Sequence, residues 1–561
     1  MNNVKQWCLL LGVFLATAIT SCNHEPDEPD NVPQSHKDDY ISLGKKLDNP
    51  YTVANMRLAL ENIKKRKASV TSRDEPVLMD PGFDIDPTHL YVEFQPRTEE
   101  EEALLKQDSS LVLFDYPLDY EFTDETLNTR PALPDGEFPS YYAAIRIDSE
   151  AASEAHYRML EELYIPEEDP YFEDLAPAPE AGKLSGKKES LLNELLNEAY
   201  QLTGNEREAA DTDTASRIIF GRRWWPSGTI MVFDEIAGRN VPVQGAQVLI
   251  RQWFTVRQGI TDGNGYFRTS SVRGSARYIL QWERYHYSIR NGSLFQAETR
   301  GPNERDRPWN LAITGGDDKY HALIHQAAHD YYYGHRFGLG SPPMNNEGRQ
   351  VKIAARELRG RSSAVKAREI WFGAYISLRE WGAASEKVYG TTIHELAHAA
   401  HRRLATGSYN NIVFDAYTNP CASGCNDLGP ISDNNRRLLE TWPTTVEILF
   451  VLDRYKNKFG ITNYSVYERN LQFENLQLQT IGAERHYTSV GYDLMDNLNQ
   501  REFYNNYNLP VDRVSGYTIQ QLENALIGAR SWWQWRDNLK NRFDNPTERY
   551  LDELFNNWEI Q

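Results

Sequence analysis

The residues that can do chemistry are gathered in one stretch, Thr391-Thr392-Ile393-His394-Glu395-Leu396-Ala397-His398-Ala399-Ala400-His401. His394 and His398 are four apart, so on an α-helix they lie about 40° apart and both imidazoles reach one metal from the same face. Glu395 falls about a quarter-turn away, where a carboxylate serves a metal-bound water and not the metal itself. In 561 residues with 13 His, an H-E-x-x-H pattern arises by chance in about 2 sequences in 100, which weighs against coincidence. The competing reading is a surface helix that happens to carry histidines; the flanks fit a buried helix better.

Two histidines leave such a site incomplete, because a catalytic zinc takes three protein ligands and one open position. The stretch Leu438-Leu439-Glu440-Thr441-Trp442-Pro443-Thr444-Thr445-Val446-Glu447 follows downstream. With H-E-x-x-H it resembles the gluzincin, thermolysin-like metallopeptidases, which take a glutamate ligand from a later helix. The metzincin pattern is excluded, since position 404 is Leu404 and His401 stands where that family has glycine. The gluzincin resemblance implies one Zn2+ per chain held by His394, His398 and Glu440. Glu395 is then the general base for a zinc-activated water in peptide-bond hydrolysis, and returns the proton to the leaving amine. The 42 residues from His398 to Glu440 are a longer return than in thermolysin itself.

Other residues stay in play. Glu447 lies two turns beyond Glu440 and is an alternative ligand or a partner that orients a histidine. His401 is a rival third ligand, but three histidines on consecutive turns splay along the axis, so an orienting or substrate-facing role suits it better. His486 and Tyr487 are candidates to stabilise an oxyanion, with aromatic packing the better reading for Tyr487. Cys421 and Cys425 lie between the two ligand segments and are read as a short loop disulfide. A decoy sits upstream: His325-Gln326-Ala327-Ala328-His329 repeats the histidine spacing, extended back to His321, yet Gln326 cannot act as a general base.

The elements that must position these groups are legible in outline. Apolar spacing at Tyr320, Leu323, Ile324, Ala327, Ala328 and Tyr331 predicts a helix over 318–333. The run 369–376, just before the motif helix, predicts a strand, either a sheet edge that pairs with extended substrate or an internal one. Thr518 and Gln521 form a capping box, and Trp532, Trp533, Trp535, Leu551, Leu554, Phe555 and Trp558 predict packed terminal helices.

Length suggests several domains, and the fold class expected is multidomain α+β. Residues 1–21 read as a lipoprotein signal peptide, because Lys5 precedes an apolar run that ends at Ser21-Cys22. That junction resembles a bacterial lipobox, which implies lipidation of Cys22 and membrane attachment; Asn23 after it favours the outer membrane. Residues 22–38 are an acidic, Pro-rich tether resembling segments that send some lipoproteins to the cell surface. Residues 39–149 are expected to form a small α+β domain opening on one or two short helices, and 150–215 an acidic linker with a helix over 189–202. Short strands over 216–300 surround Asp262-Gly263-Asn264-Gly265, a hairpin signal. With Val241-Pro242-Val243 and Gly265-Tyr266-Phe267, this region resembles the carboxypeptidase regulatory-like, transthyretin-like β-sandwich, an accessory domain. Trp224, Trp225 and Trp253 there read as core or interface packing, with sugar stacking the alternative. Residues 301–561 are expected to be a mainly helical, zincin-like domain.

The balance of 60 basic against 80 acidic residues, net −20, excludes nucleic acid as a partner, since phosphate binding needs clustered Lys and Arg. Two function classes compete with the zinc metallopeptidase acting on a protein, peptide or glycoprotein. One is a surface protein that binds protein or glycan through an inactive zincin-like domain. The other is a structural lipoprotein whose histidines buffer metal.

Overall fold

A computed structural model describes residues 42–69, 83–121, 128–129, 138–149, 156–173, 183–205, 220, 223–292, 295–356, 364–365, 375–418, 429–464, 480–481 and 486–558. The signal, Cys22 and the tether lie outside these residues, as do Cys421 and Cys425. The architecture is mixed α+β with several sheets. The described residues form two compact units, one from residues up to 231 and 242–313, the other from 232–241 and from 314 onward.

In the first unit, helix α1 (Val53–Ser69) and helix α2 (Glu99–Gln107) flank a three-stranded antiparallel sheet. His89–Phe94 is its centre, with Tyr141–Arg146 and Tyr157–Leu163 on either side. Val92 and Phe94 are fully or almost fully buried. Helix α3 (Lys183–Leu202) buries Leu192, Leu195, Leu196 and Ala199, the three-and-four spacing that gives a helix one apolar stripe. It packs on α1, and Arg66–Glu198 and Lys67–Glu194 close the seam at 2.7 and 2.9 Å. Gly204 ends α3 with φ 69°, the left-handed geometry that suits glycine.

Two four-stranded sheets follow. One orders Tyr266–Arg268, Ser227–Asp234 and Trp309–Ile313, with Arg239–Pro242 beside Ser227–Asp234; the other orders Glu298–Glu304, Ala276–Gln281, Gln247–Gln252 and Thr255–Ile260. They meet through Tyr278, whose ring lies 6.1 Å from Phe267 and 5.5 Å from Trp309.

Several expectations change here. Of the one or two short helices expected at the start of the first domain, one forms, Val53–Ser69, and a two-residue strand, Ser42–Leu43, paired with Asn128–Thr129, stands before it. The stretch expected as linker contributes the strand Tyr157–Leu163, because pairing with His89–Phe94 satisfies its backbone whatever the charge of Glu161 and Glu162. One continuous core runs from Leu43 through α3 to Ile279 and Phe295, so the regions expected as separate domains share it. The strands continue to Ile313 before the helical region begins. Asp262 to Gly265 form a tight turn, with Asp262 Oδ1 accepting from the backbone of Asn264 and Tyr266. That turn carries the chain from one sheet to the other instead of closing a hairpin. Trp224 and Trp253 are buried, as packing requires, while Trp225 is exposed.

In the second unit, helix α4 (Gly316–Tyr333), helix α5 (Ser385–Leu404) and helix α6 (Gly429–Leu452) pack with α5 in contact with both others. Tyr389 of α5 donates to Asp330 of α4 at 2.8 Å. Ala384, at the N-cap of α5, has no side-chain acceptor. Glu235 supplies it, accepting from Ser385 N at 2.6 Å and Ser385 Oγ at 2.5 Å. Next to it, buried Asp234 accepts from Arg454 at 3.0 Å and Tyr455 at 3.1 Å. Arg454 also donates to Gln326 and lies over the rings of Tyr389 and Phe459. This is a buried charge with both a counter-charge and hydrogen-bond partners.

Of the run 369–376 only Tyr375 and Ile376 are described. The strand Ile376–Leu378 is parallel to Val351–Ala355 on one side and antiparallel to Ala364–Val365 on the other. The internal alternative therefore holds for this part, since both of its edges are occupied. The capping box at Thr518 and Gln521 is present, and Trp532, Trp535 and Phe555 cluster with rings 4.7 to 5.8 Å apart. No helix among the described residues is long and apolar enough to cross a membrane.

Candidate metal centre

His394 and His398 stand on one face of α5 with their rings edge to face, 4.9 Å apart. Glu440 comes to them from α6: its Oε2 is 3.4 Å from His394 Nε2 and 3.7 Å from His398 Nε2. One ligand atom of each of the three lies within 4.8 Å of the others, and all three residues are buried. These separations are long for charge-assisted hydrogen bonds. They match a tetrahedral zinc, whose bonds of about 2.0–2.1 Å hold N and O ligands about 3.4 Å apart. Two imidazoles and a carboxylate are also the donor types that zinc accepts.

The far side of His394 is held too. Its Nδ1 lies 3.3 Å from Glu447 Oε2 and 3.4 Å from Thr444 Oγ1. A carboxylate at Nδ1 fixes the tautomer that leaves Nε2 as the ligating atom. Glu440 and Glu447 are seven apart on α6 and so lie on nearly the same stripe, one turning to Nε2 and the other to Nδ1. The sequence left these two roles open between them; the group that converges contains Glu440, and Glu447 touches only the back of His394. Between them Pro443 stands inside α6 and cannot donate to the carbonyl of Leu439. Just after it, Thr444 and Thr445 bond back to the carbonyls of Glu440 and Thr441, a pattern that often goes with a bend in a helix.

Burial sets the electrostatics. It opposes charge on Glu440, but the facing imidazoles of His394 and His398 outweigh it and hold that carboxyl well below its usual range. Burial pushes His398 down. Glu395 is 1% exposed, and its Oε2 is buried without a hydrogen-bond partner. Burial raises its pKa to about 8; His394 opposes this, while Glu440, Glu447 and Glu380 add to it. A cation at the three-residue group would lower it again, because an opposite charge nearby favours the carboxylate.

His401 does not join this group. It lies about 10 Å along the helix axis from His394, is buried against the ring of Tyr409 at 4.9 Å, and neither ring nitrogen has a hydrogen-bond partner. Burial lowers its pKa to about 3, so it is a neutral, packed imidazole without the substrate-facing role expected of it. Tyr487 is buried with its ring 6.3 Å from that of His394, so the structure brings it to the site. The carbonyl of His486 accepts from Thr441 Oγ1 at 3.4 Å.

Among the described residues the histidines of α4 form no comparable group. His321 and His325 are buried, and burial lowers His321 to about 4. Sequence reasoning missed Glu235, whose distance in the chain from Ser385 conceals its capping role. It also missed Asp493, Asp496 and Asp512, which converge; the Asp493-x-x-Asp496 spacing was the available signal. Comparison with family models, with curated proteins and with solved structures found no match for this chain.

Proposed function

We propose that the protein is a zinc-dependent peptidase of the gluzincin type, with His394, His398 and Glu440 as metal ligands and Glu395 as general base. The observation that carries this reading is the convergence of the two histidines and Glu440 beside a buried Glu395 carboxylate. Zinc bound there would supply Lewis acidity toward a peptide carbonyl. Glu395 takes a proton from the attacking water as its oxygen bonds to the carbonyl carbon. It then delivers that proton to the amine nitrogen as the C–N bond breaks. Glu447 keeps His394 in the ligating tautomer, and Tyr487 is the aromatic group at hand to face the carbonyl oxygen.

The reading extends to a lipid anchor at Cys22 and an outer-membrane address, supported by the apolar run that ends at Ser21-Cys22 and by Asn23 after it. The two stacked sheets of 223–313 support an accessory, transthyretin-like sandwich. A binding protein with an unproductive site would be favoured by a Glu440 remote from the histidines; separations of 3.4 and 3.7 Å favour the hydrolase.

The test is metal content together with cleavage of a peptide library. One zinc per chain is expected, and Glu395→Gln should keep the metal while slowing cleavage by at least about a hundredfold. Protein that retains no zinc, or a Glu395→Gln variant that cleaves like wild type, overturns the proposal.

A further inference from the structure

Arg402 follows His398 by one turn of α5. Around the helix it lies about 80° from His394, between His398 at about 40° and Glu395 at about 100°, so it shares the face that bears the metal ligands and the base. A long helical side chain leans back over the turn before it, which here is the turn of His398. The ring of Tyr409 links the two places. Burial holds its phenol well above the usual range; Tyr375, Glu440 and Glu395 add to this, and Arg402 opposes it. One buried ring thus stands within electrostatic reach of the metal centre and of Arg402.

Arg402 is 8% exposed, yet among the described residues no carboxylate lies within ion-pairing distance of it. What it meets is neutral. Nη1 donates to the hydroxyl of Tyr375 at 3.1 Å, the guanidinium carbon stands 5.9 Å from the centre of that ring, and Nε is buried without a hydrogen-bond partner. The Tyr375 hydroxyl, also buried, accepts this bond and has no acceptor for its own proton among the described residues. Arg454, buried in the same unit, has Asp234 at 3.0 Å instead. The C-terminal end of α5 and the Tyr375 ring favour a cation, but neither carries a full opposing charge. A guanidinium kept from water is matched by a carboxylate, which its planar fork fits.

We infer that Arg402 and Tyr375 form a subsite for a carboxylate of the peptide substrate, which accepts from Arg402 Nε and from the Tyr375 hydroxyl. This rests on the peptidase reading of the histidine centre. Along the axis Arg402 is about 6 Å from His398 and about 10 Å from Glu395, and an extended peptide rises about 3.3 Å per residue. The recognised carboxylate therefore lies within about three residues of the bond that is cut. It is the C-terminal carboxylate or the side chain of Asp or Glu, which offer the same chemistry to the fork.

Short acetylated peptides in matched sets test this on the zinc-loaded full chain, with a free C-terminal carboxylate or its amide, and with Glu or Gln at each internal position. Mass spectrometry reads cleavage by wild type and retention by Glu395→Gln, which separates recognition from hydrolysis. Removing the recognised carboxylate should lower both by at least about tenfold, and the set that responds identifies its source. Arg402→Gln should erase the preference while neutral peptides are handled as before, an outcome that general damage to the fold does not produce. Tyr375→Phe loses only a hydroxyl and should reduce the preference. Retention that keeps the preference without any cleavage refutes the peptidase and leaves the subsite standing. Equal retention of carboxylate and neutral peptides overturns the subsite, as does a preference that Arg402→Gln leaves intact, or that Tyr375→Phe leaves intact where the arginine variant does not fold.

Discussion

Gly390 and Glu447 share one space: a Cβ on Gly390 would lie 2.4 Å from Glu447 Oε1 and 3.3 Å from its Cγ. Gly390 is one turn before His394 on α5, so the missing side chain is what admits the carboxylate to the back of that imidazole. Gly390→Ala should therefore push Glu447 off His394 Nδ1 and lower zinc affinity about 10- to 100-fold. Helix propensity alone would favour alanine here by up to about 1 kcal/mol. Competition with a chromophoric chelator reads the affinity, and circular dichroism checks the helix content. An unchanged affinity in a folded variant would remove Glu447 from its orienting role.

The two glutamates of α6 should separate cleanly on substitution. Glu440→Gln removes a charged ligand and should yield protein that loses zinc on dialysis. Glu447→Gln keeps a group able to accept from Nδ1 and should retain zinc with a smaller loss of affinity. Metal analysis after dialysis distinguishes them. Zinc kept by Glu440→Gln and lost by Glu447→Gln would reverse the assignment.

The part of the site written in local spacing was legible in the sequence. His394, Glu395 and His398 sit within five residues of one helix, where 3.6-residue periodicity fixes their relative directions. Glu440 was reached through the gluzincin resemblance, with Glu447 as its alternative, and the 3.4 Å approach of Glu440 to His394 is a contact that only folding supplies. Contacts across long sequence separations were not legible. Glu235 caps a helix that starts at Ser385, and Asp512 meets Asp493 through backbone pairing of loops that carry no periodic signal. Charge misled once, because Glu161 and Glu162 look like linker residues while their backbone completes a sheet.

Glu298 should make the first unit less stable as pH rises. It is half-buried beside Tyr116, which donates to its Oε2 at 3.0 Å. Burial, with Asp115 adding to it, raises its pKa from 4.5 to about 7. The folded chain thus keeps a proton that the unfolded chain gives up above about pH 4.5. The group's contribution is fully present below that pH and is lost as pH rises through 7. Glu298→Gln keeps the shape without the charge, so it should flatten this slope and be the more stable form at pH 8. Denaturant unfolding of both proteins at pH 5 and pH 8 measures it, and an equal slope in both would sink the assignment.

Glu235 should act in the opposite sense. Burial disfavours its charge, but Lys319 at 2.7 Å and the Ser385 donors prevail and hold its pKa at about 2. Its stabilisation is therefore present above the unfolded value of about 4.5 and is lost as pH falls toward 2. Much of the carboxylate still faces water, so solvent screening keeps the ion pair weak. The cap on α5 supplies most of an expected loss of about 1 kcal/mol for Glu235→Gln at pH 7. The gap between variant and wild type should close as both are acidified, because the protonated carboxyl of Glu235 and the amide that replaces it make the same uncharged contacts. Thermal unfolding across that pH range checks it. A gap that stays constant would assign the effect to packing against Ser385, and the α5 that carries His394 would then be held by shape and not by charge.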